Sequence, residues 1–248
     1  MTEADPATES THDRVVRSYF ETTSSRTTAD EQSIRRSNVS LGRLLGDWAP
    51  QRDEVVVDLG SGMGECCAFA LHNDARSATG INLSASENEL ARRLVPGATF
   101  VDTDLVSYLR AAEPGSVDRI MALNILEHLD RDTLATVLEH AARILRPGGV
   151  LVAVTPNATS PFGAMTRYWD ITHHLAFTPS SVRQIGMLCG FGQFDFRECG
   201  PRPHGLVSTI RFGLWQMIRL WIKFRLLVET ASIKGGIYTA DFMIRFSK

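Results

Sequence analysis

The stretch Val55-Val56-Val57-Asp58-Leu59-Gly60-Ser61-Gly62-Met63-Gly64 carries the strongest signal in the sequence. A β-branched run leads directly into three glycines at alternate positions, and a helical pattern follows from Glu65. Glycines allow the backbone to turn tightly and to approach a ligand closely. The spacing is D-x-G-x-G-x-G, and Glu65 stands where a dinucleotide fingerprint would need its third glycine. The stretch therefore predicts a strand, a ligand-binding turn and a helix. A tight turn without a ligand is the alternative.

Strand and helix patterns alternate after this turn. Strand patterns fall at 54–59, 78–83, 99–101, 117–123 and 150–155, helical patterns at 65–72, 87–94 and 132–145, a turn at 147–149, and an aperiodic connection at 157–177. Repeated units of this length predict a parallel sheet with helices on both faces. A helix at 180–188 and strands at 194–199 and 238–246 follow. We predict a Rossmann-like, doubly wound α/β fold. Its seven-stranded sheet is mostly parallel with an antiparallel last strand, and it carries N-terminal helices and a helical insertion between the last two strands.

The composition along the chain predicts three parts. Residues 1–12 are poor in hydrophobic side chains and predict a disordered tail. Residues 13–50 contain apolar positions at helical spacing and predict a helical cap. Residues 51–248 form the main α/β domain, with an amphipathic helical insertion at 206–235.

The overall charge and the cysteines limit the classes of protein. Lys and Arg total 26 and Asp and Glu total 28 in 248 residues, which argues against a nucleic-acid partner. The sequence has neither a long uncharged apolar stretch nor the apolar core of a secretion signal. Four cysteines, two of them adjacent, are too few for a disulfide-stapled fold. We predict a cytoplasmic location.

Polar residues follow the first three strands at the points where those strands end. Asp58 lies in the first of these positions, Asn82 in the second and Asp104 in the third. The ligand crevice of an open parallel sheet lies at the carboxyl ends of the strands, so these groups converge there. The alternative for Asp104 alone is a helix N-cap.

The sequence resembles the class I S-adenosylmethionine-dependent methyltransferases. The resemblance covers about residues 50–200 and rests on five motifs in order, namely Asp58–Gly64, Gly80-Ile81-Asn82-Leu83-Ser84, Asp102-Thr103-Asp104, Asn124–Leu129 and Leu145–Gly149. It implies S-adenosylmethionine as the cofactor and S-adenosylhomocysteine as the product. The implied cofactor residues are Asp58, Gly60, Ser61, Gly62, Gly64, Asn82, Leu83, Asp104, Leu105 and Asn124. The family usually has Asp or Glu in place of Asn82, whose amide binds ribose hydroxyls without the help of a charge.

The acceptor chemistry points to the loop after the fifth strand. This loop combines Tyr168, Trp169, Asp170, His173 and His174. Aromatic rings stack on sugar faces, and a histidine oriented by an acid can act as the general base. His128, after the fourth strand, is another candidate base; a packed loop with structural histidines is the alternative. A metal bound by the acid and the two adjacent histidines would need other ligands, and we predict no metal site.

A narrower resemblance involves Asp170–His174 and Phe177–Ser181. It is similar to a bacterial branch of the superfamily associated with polysaccharide and natural-product sugar modification. It implies O-methylation of a sugar or glycan hydroxyl. The alternatives are methylation of a lipid or aromatic natural-product intermediate, and a non-catalytic cofactor-binding partner protein.

The segment 206–228 is apolar and basic. It contains Trp215, Trp221 and several cations before its first acid. A basic amphipathic helix with tryptophans is typical of the surface of an anionic membrane, which predicts peripheral contact with the inner membrane face. The alternative is packing on the sheet or against a second subunit in a homodimer.

Overall fold

The computed structural model describes residues 30–231 and 236–248. In this part of the chain one sheet contains seven strands in the order β3-β2-β1-β4-β5-β7-β6. The strands are β1 Val55–Leu59, β2 Ser77–Asn82, β3 Thr99–Asp102, β4 Val117–Leu123, β5 Leu145–Pro156, β6 Gln193–Glu198 and β7 Asp241–Ser247. Strand β7 runs antiparallel to both β5 and β6, and the other pairs are parallel. The predicted fold class is confirmed.

Helices cover both faces of this sheet. The α-helices are α1 Glu31–Leu45, α2 Glu65–His72, α3 Ala85–Leu94, α4 Leu105–Ala111, α5 Arg131–Ile144, α6 Gly163–Tyr168, α7 Pro179–Leu188 and α8 Leu206–Thr230. Two apolar cores result. One lies between the sheet and α1, α2 and α3, and the other between the sheet and α4, α5 and α7. Adjacent β1 residues point to opposite faces of the sheet, since Val56 packs in the core with α1 to α3 and Val57 in the core with α4, α5 and α7.

Helix α1 is the described part of the predicted N-terminal cap. Asp30 and Ser33 form a reciprocal capping box at its start, and the helix buries Ile34 and Leu45. The predicted tail at 1–12 and the helical pattern at 13–22 lie outside the described residues. The domain boundaries therefore remain predictions.

Two local predictions were wrong. Pro147-Gly148-Gly149 does not form a turn before β5 but lies within it as an irregularity, because Val117 pairs with Leu145 whereas Arg119 pairs with Val150. Four residues of β5, 146–149, thus lie opposite the single residue Asp118 of β4, and Gly148 has a φ of 80°. The connection 157–177 was expected to lack regular structure, but it contains α6.

Helix α8 is long and mostly exposed. Only Ser208 and Ile222 are buried along its described residues. Its exposed apolar side chains include Met217, Leu220, Trp221, Phe224 and Val228. In the ranges that the structure describes, no helix has the length and apolar character needed to cross a membrane. The predicted insertion at 206–235 is thus helical to Thr230, and residues 232–235 lie outside the described chain.

Candidate active site

The glycine turn after β1 has three glycines in the left-handed region, each with a different environment. Gly60 has a φ of 72°, and a Cβ there would lie 2.8 Å from Ile125 Cδ1. Gly64 has a φ of 86°, and its Cβ would lie 2.7 Å from Phe100 Cζ. Gly62 has a φ of 49°, and no described atom lies within 4 Å of the position of its Cβ. Gly60 and Gly64 therefore allow close packing, whereas Gly62 borders open space.

A cavity of about 290 Å³ lies against this turn. It is lined by Asp58, Gly60, Ser61, Gly62, Glu65, Cys66 and Leu123, and α1 adds Ser37, Ser40 and Leu41. Ser61 Oγ is buried and has no hydrogen-bond partner among the described residues. A buried polar atom without a partner is rare in folded proteins, so this hydroxyl fits a polar ligand in the cavity. The lining by α1 was not predicted, because its serines carry no motif.

The cavity floor is acidic. Asp58 is buried, and burial, with the nearby Glu65 carboxylate, raises the pKa of Asp58 to about 8. Burial also raises the pKa of Glu65, with a smaller contribution from Glu87. A cationic ligand group here would stabilise the ionised carboxylates. These surroundings fit the ammonium and sulfonium groups of S-adenosylmethionine.

The other predicted cofactor residues follow the neighbouring strands. The side-chain amide of Asn82 donates to Glu87 Oε2 at 2.6 Å, which places a carboxylate beside the amide that replaces the usual acid. Leu83 is 58% exposed at the same edge. Asp104 is the N-cap of α4 and accepts from Ser107 N at 2.8 Å. The structure thus shows Asp104 as a helix cap. The contacts of Asp104 and Leu105 with the cofactor stay predictions.

The loop after β4 connects this cavity to a second polar cluster. Asn124 begins the loop with a φ of 54°, and its N–H donates to Val154 O at 2.9 Å. The Ile125 side chain packs over Gly60. The short 3₁₀ helix Leu126–His128 follows and supplies two residues of the polar cluster. The glycine turn and this cluster are therefore held by adjacent residues of one loop.

Three of the four predicted catalytic residues meet in this cluster. His128 Nδ1 lies 2.7 Å from Thr172 Oγ1, and Thr172 Oγ1 donates to Asp170 Oδ1 at 2.7 Å. The ring of His173 meets the ring of His128 edge-on, with centroids 4.7 Å apart. His174 is exposed and lies apart from this group. Its N–H donates to Glu127 O at 2.8 Å.

Glu127 belongs to the cluster and was missed as a candidate. It is 1% exposed, and it accepts from Thr155 Oγ1 at 3.2 Å. Burial raises the pKa of Glu127 to about 8, and the charges of Asp241 and Asp170 add to this effect. In sequence, Glu127 resembles a scaffold residue, because only the tertiary fold brings β5 and the loop at 170–173 around it.

The comparisons with known proteins agree with this geometry. Residues 56–149 match a family described as a methyltransferase domain. The chain is 34% identical over 126 residues to methyltransferase GfsG of Streptomyces halstedii, covering 49% of this chain and 40% of that protein. It is also 34% identical over 130 residues to trans-aconitate 2-methyltransferase of Azoarcus sp. strain BH72, covering 52% and 47%. The chain thus spans about half the length of the curated relatives it matches.

The fold is shared along almost the whole chain with a solved structure. A SAM-dependent methyltransferase from Archaeoglobus fulgidus superposes with a TM-score of 0.63 at 17% identity, covering 95% of this chain and 99% of that one. The structure thus has the fold of the class I methyltransferases, and residues 56–149 are similar to the methyltransferase domain family. At the level of the domain family, these findings bear out the predicted cofactor, S-adenosylmethionine.

Proposed function

We propose that the protein transfers a methyl group from S-adenosylmethionine to a hydroxyl group of a sugar or glycan. The observation that carries this proposal is the loop after β4. It packs Ile125 on the glycine turn and, two and three residues later, contributes Glu127 and His128 to the polar cluster. A loop of this kind holds a cofactor cavity and a proton-accepting cluster side by side, as methylation of a hydroxyl requires.

One set of residues binds the cofactor, and a second set accepts the proton of the acceptor. S-adenosylmethionine, when bound, supplies a methyl group that is already activated as a sulfonium. Asp58 and Ser61 bind its polar groups, and Gly62 leaves room for it. The cluster of His128, His173 and their partners removes the proton of the acceptor hydroxyl, which is a weak nucleophile until that proton leaves.

Exposed aromatic side chains beside the cluster support a sugar acceptor. Tyr168 is 77% and Trp169 is 80% exposed, and the Arg167 guanidinium lies 5.0 Å from the Tyr168 ring centroid. Exposed aromatic faces are favourable for stacking on the apolar faces of sugar rings. An aromatic natural-product intermediate would use the same faces and remains the alternative acceptor. A non-catalytic cofactor-binding role would account for the cavity at the glycine turn but would not account for the polar cluster around His128 and His173.

A matched pair of glycine variants tests the cofactor site. Gly62→Arg places a side chain in the open space beside the cavity, so we expect calorimetry to show loss of S-adenosylmethionine binding. Gly115→Arg is the control, since Gly115 also has a positive φ, 67°, and no described atom near its Cβ, but it precedes β4 at the opposite edge of the sheet. Equal affinity in the two variants would contradict the proposed function.

We also propose that α8 contacts an anionic membrane surface, which would present the site to a lipid-linked acceptor. Strand β6 ends and β7 begins at the edge of the sheet where β5 also ends, because Asp241 pairs with Pro156. Helix α8 therefore leaves and returns at the edge that carries the site. Its exposed stripe of Met217, Leu220, Trp221 and Phe224 follows helical spacing, and the half-buried Lys223 lies beside the stripe.

A further inference from the structure

The polar cluster contains a set of three metal-ligand side chains. Glu127, His128 and His173 each offer one ligand atom, and these atoms lie within 4.8 Å of one another. Glu127 and His128 come from the 3₁₀ helix after β4, whereas His173 comes from the loop before α7. Two separate segments of the chain thus bring two imidazoles and one buried carboxylate around a common point.

The hydrogen bonds fix which nitrogen of His173 carries a proton. His173 Nδ1 lies 3.0 Å from the carbonyl oxygen of Thr166. A carbonyl oxygen can only accept a hydrogen bond, so Nδ1 is the donor. In the neutral ring the other nitrogen, Nε2, then carries the lone pair that a metal ion needs.

The same reasoning fixes the tautomer of His128 through a chain of hydrogen bonds. The Thr172 hydroxyl uses its proton to donate to Asp170 Oδ1 at 2.7 Å. Thr172 Oγ1 must therefore accept in its contact with His128 Nδ1 at 2.7 Å, which makes Nδ1 the donor. His128 Nε2 then carries the lone pair. Metal-binding histidines typically donate from their second nitrogen to an acceptor of this kind, which holds the ring in the binding orientation.

The charge around the cluster also favours a cation. Glu127 belongs to the cluster, Asp170 orients His128 through Thr172, and Asp241 acts electrostatically on both Glu127 and His173. A divalent ion would offset the free-energy cost of burying these negative charges close together.

We infer that Glu127, His128 and His173 bind a divalent transition-metal ion. Imidazole ligands favour ions such as Zn²⁺ over Mg²⁺, and a site with two histidines and one carboxylate leaves positions open for water or substrate. This set differs from the Asp170, His173 and His174 set that we considered in the sequence, because His174 lies apart from the cluster. The inference replaces the sequence-based prediction of no metal site.

The role of this ion rests on the proposed function. The acceptor hydroxyl would bind at an open position of the metal, which lowers the pKa of the hydroxyl. With the ion bound, His128 and His173 act as ligands and not as the base. The proton of the hydroxyl passes to water, and the hydroxyl oxygen forms the new bond to the methyl carbon. The carbon–sulfur bond of S-adenosylmethionine breaks, and its electron pair stays on sulfur as the neutral thioether of the product.

Metal binding can be measured without any acceptor. We expect the untagged protein to bind one Zn²⁺ per chain in equilibrium dialysis, and to bind Mg²⁺ more weakly. His173→Ala and the conservative Glu127→Gln should each lower the affinity at least about tenfold. His72→Ala is the matched control, because His72 is an exposed histidine at the end of α2, and its affinity should equal that of the wild type. Circular dichroism verifies that each variant is folded.

Two outcomes would overturn the inference, namely no bound transition metal in the wild type, or equal affinity in the wild type and Glu127→Gln. Binding of Co²⁺ with visible d–d absorption that is lost in His173→Ala would support imidazole coordination. Calorimetry with S-adenosylmethionine in the presence of EDTA tests the proposed function separately. Absence of cofactor binding both with and without EDTA would contradict that function and would leave the metal measurement unaffected.

Discussion

His173 and His174 are neighbours in sequence, but their side chains have different surroundings. His173 lies against His128 and is held by the Thr166 carbonyl. The His174 side chain is exposed. Hydrogen bonds from Thr133 lower the pKa of Asp130, and His174 adds a smaller electrostatic attraction to that carboxylate.

We therefore expect His173→Ala to lower turnover about 10²- to 10⁴-fold, whether the ring accepts a proton or binds a metal. His174→Ala should retain most of the activity.

The measurement is single-turnover methyl transfer to the acceptor, with cofactor affinity determined for both variants. Both should bind S-adenosylmethionine as the wild type does, because neither histidine lines the cavity at the glycine turn. Similar turnover in the two variants would place the proton-accepting group elsewhere. The sequence predicted a general base among these histidines, but only the tertiary structure distinguishes them.

At the level of single elements, α4 allows the two roles of Asp104 to be separated. Asp104→Ala removes the N-cap, which should cost about 0.5–2 kcal/mol of stability. If its carboxylate also accepts from the adenine amine, cofactor affinity should fall about ten- to a hundredfold. Asp104→Ser retains a capping oxygen but not the charge, so we expect nearly normal stability with reduced affinity. Wild-type values of both in the serine variant would leave Asp104 as a cap alone.

The α8 proposal is tested by vesicle sedimentation. We expect the protein to bind vesicles of phosphatidylcholine with phosphatidylglycerol, and to bind less as salt screens the lysine and arginine charges. Trp221→Ser with Phe224→Ser should lower this binding at least about tenfold, because two large apolar groups are lost. Leu188→Ser, at a 76% exposed position on α7, is the control. Absence of vesicle binding together with a dimer in light scattering would instead support the homodimer alternative.

The elements also show how far local sequence determines this fold. The β-α-β rhythm from Val55 to Pro156 was predictable, since each strand is an apolar run and each helix has its own period and caps. The Pro147-Gly148-Gly149 irregularity was not, because the same residues suit a turn or a bulge and the register with β4 decides between them. Glu127 could not be assigned to the site for a similar reason, since residues distant in sequence surround it.

On the scale of the whole molecule, the buried Asp58 couples stability to pH. Its pKa is about 8 in the folded chain, largely through burial, against 3.8 as the reference value. Below pH 3.8 the acid is neutral in both states. As the pH rises from there to about 8, only the unfolded chain ionises readily, so the folded state loses stability. We expect unfolding of the cofactor-free protein by urea to show this decline.

Asp58→Asn should reduce this dependence, because the amide does not ionise, while the buried Glu127, whose pKa is also raised to about 8, keeps its own contribution. The gain relative to the wild type should increase towards pH 8 and reach several kcal/mol at most, since one pKa unit corresponds to about 1.4 kcal/mol. Asp132→Asn, at an exposed position on α5, should not alter the slope. Parallel pH profiles of the wild type and Asp58→Asn would show that Asp58 ionises normally in the folded chain.

The contact between Ile125 and Gly60 has a consequence for redesign of the proposed acceptor site. Because a Cβ at Gly60 would lie 2.8 Å from Ile125 Cδ1, the side chain at 125 sets how closely the loop rests on the glycine turn. A shorter side chain at 125 would let the loop after β4 move closer to the glycine turn, and a longer one would push the loop away. Either change would move Glu127 and His128 relative to the bound cofactor. A mutant library at position 125 alone would therefore sample acceptors of different size while leaving the residues that perform the chemistry intact.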